Sequence, residues 1–139
     1  MLLFRGPHWD QGLSADELQQ TMDNVMAWFE GLNQRGKIKG AQPLGAQGRT
    51  VSRTNGRFVV DGPFTETKEA VGGYLVLQAN SFEEAVEVAR TNPVLRYGVS
   101  VEVRSILAEC PIFARHPELI RRSEDSANRA KAALAEMAA

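Results

Sequence analysis

At 139 residues, 43% hydrophobic and 24% charged, the chain has room for one ordinary domain whose core needs no disulfide or metal. A formal net charge of −1 gives no field that would draw it to nucleic acid or to an anionic membrane. The lone Cys110 excludes an internal disulfide and zinc-type spacing, which fits a reducing, cytoplasmic setting, and no apolar run approaches the length of a membrane span.

Leu2 to Arg5 is short and apolar and is stopped by Gly6-Pro7, as a first strand would be. It is brief for a central strand, as a start codon further upstream would make it, and nothing in it resembles a signal peptide. Ser14 and Glu17 form a capping box that opens a helix over residues 15–35. Leu18, Met22, Val25, Met26, Phe29 and Leu32 give that helix one apolar face, and Gly36 suits its left-handed cap. Residues 37–41 read as a second strand, whose continuation Pro43 and Gly45 confine to an edge or a bend.

Asn55-Gly56 is the preferred pair for a two-residue type I′ turn, and it sits between strands over 49–54 and 57–60. That turn sets Thr54 opposite Arg57, Ser52 opposite Val59 and Val51 opposite Val60. A strongly apolar strand follows over 72–79. Ser81 with Glu84 then opens a second helix, with Phe82, Ala85, Val86 and Ala89 as its buried stripe and Asn92-Pro93 as its stop. Over 97–106, Val99, Val101 and Val103 alternate with Ser100, Glu102 and Arg104, which predicts a half-buried strand. After Pro111 the chain leaves the domain. His116-Pro117 opens a helix over 117–139, whose thin seam of Ile120, Ser123, Ala127, Ala130, Leu134 and Met137 suits packing on the domain or its mate better than a free coiled coil.

The order is β-α-β-(hairpin)-β-α-β, the ferredoxin-like βαββαβ pattern of an α+β protein with an inserted hairpin. Residues 1–108 form that domain and 109–139 a C-terminal helical extension. Two helices cover one sheet face; an apolar opposite face calls for a second copy, so a homodimer is expected.

Three acids and a lysine fall in one connection, Asp61-Gly62-Pro63-Phe64-Thr65-Glu66-Thr67-Lys68-Glu69, ahead of Gly72-Gly73. A loop held by a rigid sheet is where binding groups concentrate. The string DGPFTETKE, followed by GGYLVL, a helix and VEVR at 101–104, closely resembles the DGPF family of the YCII-related superfamily, over about residues 1–106. The resemblance implies a dimeric α+β barrel, in which two ferredoxin-like domains pack sheet to sheet. It also implies kinship with proteins encoded beside extracytoplasmic-function sigma factors, and with no single settled activity. Some members are described as dehydrogenases, for which this chain has no nucleotide-binding motif.

Carried over by position, Asp61, Gly62, Pro63, Phe64, Glu66, Lys68, Glu69, Gly72 and Gly73 match the signature loop, and Glu102 and Arg104 its terminal strand. Where the family reads EVRP, this chain has Ser105. The related proteins are thought to use a His–Asp pair with the histidine on the first helix, which here has none, so His8 would have to substitute.

Asp61 and His8 are thus the proton-transfer candidates, and Asp61, Glu66, Lys68, Glu102 and Arg104 the ligand-binding ones. Each also has a plain structural reading. Asp61 can hold the N–H groups of the Gly62-Pro63 turn, Glu66, Lys68 and Glu69 can be a solvated cluster, Phe64 can be core, and His8 an ordinary loop histidine. Lys68 is placed to pair with Glu102 across the sheet. Arg35, Lys37, Lys39, Arg49, Arg53 and Arg57 make residues 31–60 basic without one acid. They serve either as a solvated edge that discourages aggregation or as an anion-binding rim. Two functions remain open, a small-molecule (anionic ligand) binding or enzyme-like protein and a noncatalytic module acting on a partner such as a sigma factor. No cofactor or metal, no nucleic acid and no membrane is expected in either case.

Overall fold

A computed structural model of the chain describes residues 1–6, 8–45, 47–62, 70–120 and 124. Signature-loop residues 63–69, and with them Phe64, Glu66, Lys68 and Glu69, lie outside the described residues, as does the expected tail helix beyond residue 120 apart from Glu124. The chain divides into two compact units, Met1–Ser105 and Ile106–Ala139.

The first unit is α+β and ferredoxin-like. It runs β1 (Leu2–Arg5), α1 (Ala15–Gln34), β2 (Ile38–Pro43), β3 (Thr50–Thr54), β4 (Arg57–Asp61), β5 (Val71–Leu77), α2 (Phe82–Arg90) and β6 (Ser100–Val103). Four strands form one sheet in the order β2-β5-β1-β6, every neighbouring pair antiparallel. β1 and β2 therefore run the same way with β5 between them, the split βαβ arrangement. Pro43 ends an edge strand, where its missing N–H costs no ladder bond. Registers Leu2↔Leu75 and Leu2↔Val103 put these side chains on one face, and with Leu32 of α1 and Ala89 of α2 they build the core. Both helices thus cover the same side of the sheet.

Local chemistry accounts for the ends of α1. The Ser14 hydroxyl accepts the Glu17 N–H at 3.3 Å, and the Glu17 carboxylate accepts the Ser14 N–H at 2.8 Å. At the other end Gly36, at φ +65°, lets its own N–H reach the Asn33 carbonyl and the Lys37 N–H reach that of Leu32, a Schellman cap. The buried face differs from the expected one by a small rotation. Leu18, Thr21, Val25, Trp28 and Leu32 turn inward, whereas Met22 and Met26 are 39% and 62% exposed. Thr21 tolerates burial because its hydroxyl donates to the Glu17 carbonyl at 2.7 Å and accepts from the Tyr97 hydroxyl at 2.8 Å.

The hairpin has the expected register, Val51↔Val60, Ser52↔Val59 and Thr54↔Arg57, with Asn55 and Gly56 both at positive φ. α2 begins with Ser81 accepting the Glu84 N–H at 3.0 Å, but the expected reciprocal half of the box is absent. Glu84 turns instead to the Asn80 N–H and to the ammonium of Lys37, a stronger charged donor. Phe82, expected in the buried stripe, is 49% exposed, and Val88 packs on the core in its place. The last strand is shorter than predicted. Pro93–Tyr97 form a 3₁₀ turn that Asn92 caps at 3.0 Å and Gly98 closes at φ +83°. Val101 and Val103 of β6 pack against the core, as the alternation predicts, while Glu102 lies on the other face beside Leu3.

In the second unit Pro111–Arg115 form a short helix, α3, which the sequence reading did not foresee. His116 closes it, and its carbonyl accepts the Leu119 N–H at 3.0 Å to begin the next helical turn.

Candidate functional site

The helices and the sheet part company at the ends of β1, β2 and β5, leaving a cavity of about 400 Å³. Its walls are mostly apolar. Phe4 of β1, Met22, Val25 and Phe29 of α1, and Val94 and Val99 from the connection after α2 all line it. Trp9 adds an aromatic wall from the turn after β1, stacked on Tyr97 with ring centroids 5.7 Å apart. That stack is anchored, because the Tyr97 hydroxyl holds Thr21 of α1. Polar residues are few: the buried Asn92, whose Oδ1 is used by the Val94 N–H, Gln42 and Arg5.

Two glycines of the signature have structural reasons to be glycine. Gly73 is buried at the cavity's edge, where a Cβ would come within 3.1 Å of the Gln42 carbonyl oxygen of the neighbouring strand. Gly62 stands at φ +123°, and a Cβ there would meet the Gly48 carbonyl oxygen at 2.6 Å. Arg49 binds the Gly62 carbonyl at 2.9 Å and completes the closure of the hairpin's base. Residues 63–69 then connect Gly62 to Ala70, whose carbonyl accepts the N–H of the cavity-lining Gly6 at 3.4 Å. The signature segment therefore ends at the rim of the cavity.

Arg5 links that rim to the sequence-predicted strand β6. Its Nε and Nη2 donate to Glu102 Oε2 at 3.1 and 2.7 Å, and the Nε of Arg104 holds Glu102 Oε1. Arg5 and Glu102 are about as exposed as each other, 30% and 28% by side chain, whereas Arg104 is 68% exposed. These three side chains sum to one positive charge. Glu102, Arg104 and the guanidinium of Arg5 are thus brought together on the face of the sheet away from the core, while residue Arg5 also borders the cavity. Asp61 sits at the exposed end of β4 opposite Thr50, and His8 in the exposed turn immediately before Trp9. Neither lines the cavity. The expected Lys68–Glu102 contact lies outside the described residues. Among the basic residues of 31–60, Lys37 is paired with Glu84, Arg49 with the Gly62 carbonyl and Arg53 with the Gly56 carbonyl, so half of that rim serves the fold.

Sequence reasoning missed Arg5, Trp9 and the apolar walls. A signal for Arg5 was present, since β1 borders β6 in a split βαβ sheet and the alternation of β6 already put Glu102 on the face opposite the core.

Arg5 first, and then Arg104, hold the Glu102 carboxyl below its ordinary 4.5 by hydrogen bonds to its charged form. A carboxyl whose folded value is depressed contributes stability that is complete above 4.5 and is lost as pH falls through the depressed value. Glu102→Gln is therefore expected to unfold at lower temperature than the wild type at neutral pH and to converge with it as pH drops below that window. Parallel melting curves across the whole acid limb would show that the carboxylate contributes nothing.

A family model, the YCII-related domain, matches residues 7–109. No curated protein sequence matches the chain. Among solved structures it is similar to the 5-chloro-2-hydroxyhydroquinone dehydrochlorinase of Burkholderia phenoliruptrix AC1100, solved in complex with 2,5-dihydroxybenzoquinone. That likeness stands at 22% identity over 75% of this chain and 91% of that one, with a TM-score of 0.36, too low to carry an argument about chemistry. No described helix is long and apolar enough to cross a membrane.

Proposed function

The chain belongs to the YCII-related domain family, and from that premise we propose that it binds a small organic anion in the cavity between α1 and the sheet. One observation carries this reading: a cavity of about 400 Å³, walled by Phe4, Val25, Phe29 and Trp9, has Arg5 among the residues that border it. Concave, largely apolar sites of this size with a few placed polar groups are the usual form of small-molecule pockets. The apolar body of the ligand lies against the aromatic and aliphatic walls, and its anionic group turns to Arg5, whose orientation Glu102 and Arg104 fix. In an enzyme-like role His8 and Asp61 are the proton-transfer candidates, His8 because it precedes Trp9 and Asp61 because it precedes the signature turn. A noncatalytic partner module would need no such cavity.

The reading includes a homodimer. Leu3 and Tyr74 share the sheet face away from the helices with Glu102, and a second copy would cover them.

Trp9 supplies the assay, because the other tryptophan, Trp28 of α1, donates to the Thr91 hydroxyl at the end of α2 and does not line the cavity. Trp28→Phe protein titrated with benzoate, hexanoate and 1-naphthoate is expected to show saturable quenching and a higher melting temperature, and the matching carboxamides weaker effects. No response to any carboxylate would remove the reading.

A further inference from the structure

The β3–β4 ribbon is incomplete within one protomer. Every residue of both strands is exposed, and among the described residues the ribbon's only extensive packing is one strand on the other. Two strands alone are marginal in water, yet this pair keeps a regular register. Val51 pairs with Val60 and Arg53 with Phe58, so these four side chains share one face. Val51, Phe58 and Val60 are 65%, 76% and 53% exposed, and the Arg53 guanidinium lies 5.6 Å from the Phe58 ring centroid. A flat ribbon with an apolar face and open edges invites pairing unless something covers it.

We propose that the covering surface is a second copy of this chain, each protomer laying the Val51–Phe58–Val60 face of its ribbon on its twin. Charge selects the twin. From Arg49 to Asp61 the hairpin carries three basic residues, Arg49, Arg53 and Arg57, against one acid, Asp61, which leaves 13 basic and 16 acidic residues in the remainder of the chain. A basic ribbon is complementary to the body of its own copy, which steers the encounter and fixes its sense.

The inference rests on the homodimer reading, and the experiment separates the two. The molar mass of the full chain is measured by light scattering over a dilution series, with amide hydrogen exchange followed in the monomeric and dimeric ranges. Amides of residues 50–61 are expected to slow only in the dimer. Phe58→Thr, which keeps strand propensity and is checked for native circular dichroism, is expected to raise the dimer dissociation constant by about tenfold or more. Arg53→Glu should weaken the dimer further, and added salt should weaken the wild type. A chain monomeric throughout overturns both readings. A dimer whose ribbon exchanges as it does in the monomer, or a ribbon already protected in the monomer, overturns this inference and leaves the homodimer standing.

Discussion

Arg5→Ala is expected to weaken binding of an aromatic or aliphatic carboxylate by about 10- to 100-fold, since a charge-assisted hydrogen bond contributes about 1.5–3 kcal/mol. The matching carboxamide should lose no more than about threefold, because its apolar contacts with Phe4, Val25 and Phe29 persist. The contrast between the two probes is the measurement. A damaged fold would lower both affinities, whereas loss of the Arg5 charge lowers one. Arg5→Lys keeps the charge but not the planar fork that meets Glu102 through Nε and Nη2, so it should recover part of the carboxylate affinity. Carboxylate binding by Arg5→Ala at wild-type strength would end the role assigned to this residue.

The elements visible in the sequence were those fixed by neighbours a few residues apart. Ser14 and Glu17 cap α1 across three positions, and Asn55-Gly56 alone sets the register of the hairpin. Val101 and Val103 mark the buried side of β6 by simple alternation. Where two local patterns competed, the sequence misled. The face through Met22 and Met26 and the face through Thr21 and Trp28 differ by a small rotation, and apolar count favours the wrong one. What settles the phase is a tertiary bond, Thr21 to Tyr97, 76 positions away. Glu84 fails to complete its box for the same kind of reason, because Lys37 arrives from another part of the chain.

The site was less legible than the fold. Its specific string, DGPFTETKE, points to the right region, and the geometry explains two of its glycines. The cavity wall, however, is assembled from β1, α1, β2, β5 and three connections, and no run of the sequence displays it. Arg5 and Glu102 meet across 97 positions, a pairing that only the strand order brings about.

Leu75→Ala should produce the largest loss of stability among these variants. Leu75 is fully buried at the middle of β5, paired with Leu2 of β1 and with Ala41 of β2, so its removal opens a hole between two central strands and the helices above them. Such truncations cost about 2–5 kcal/mol. For a domain of this size that lowers the melting temperature by roughly 8–20 °C, with little change in the denaturant m-value if the folded and unfolded ensembles keep their compactness. Met26→Ala is the control that the helix phase demands. The periodicity of the sequence puts Met26 in the core, whereas at 62% exposure its truncation should change stability by less than about 0.5 kcal/mol. A large loss from Met26→Ala with a small one from Leu75→Ala would mean that α1 is turned the other way. Met22 and Met26 would then replace Thr21 and Trp28 on the inner face, and the Thr21–Tyr97 bond that anchors the Trp9 wall of the cavity would be lost. The stability pair therefore tests the geometry on which ligand binding depends, without any ligand being present.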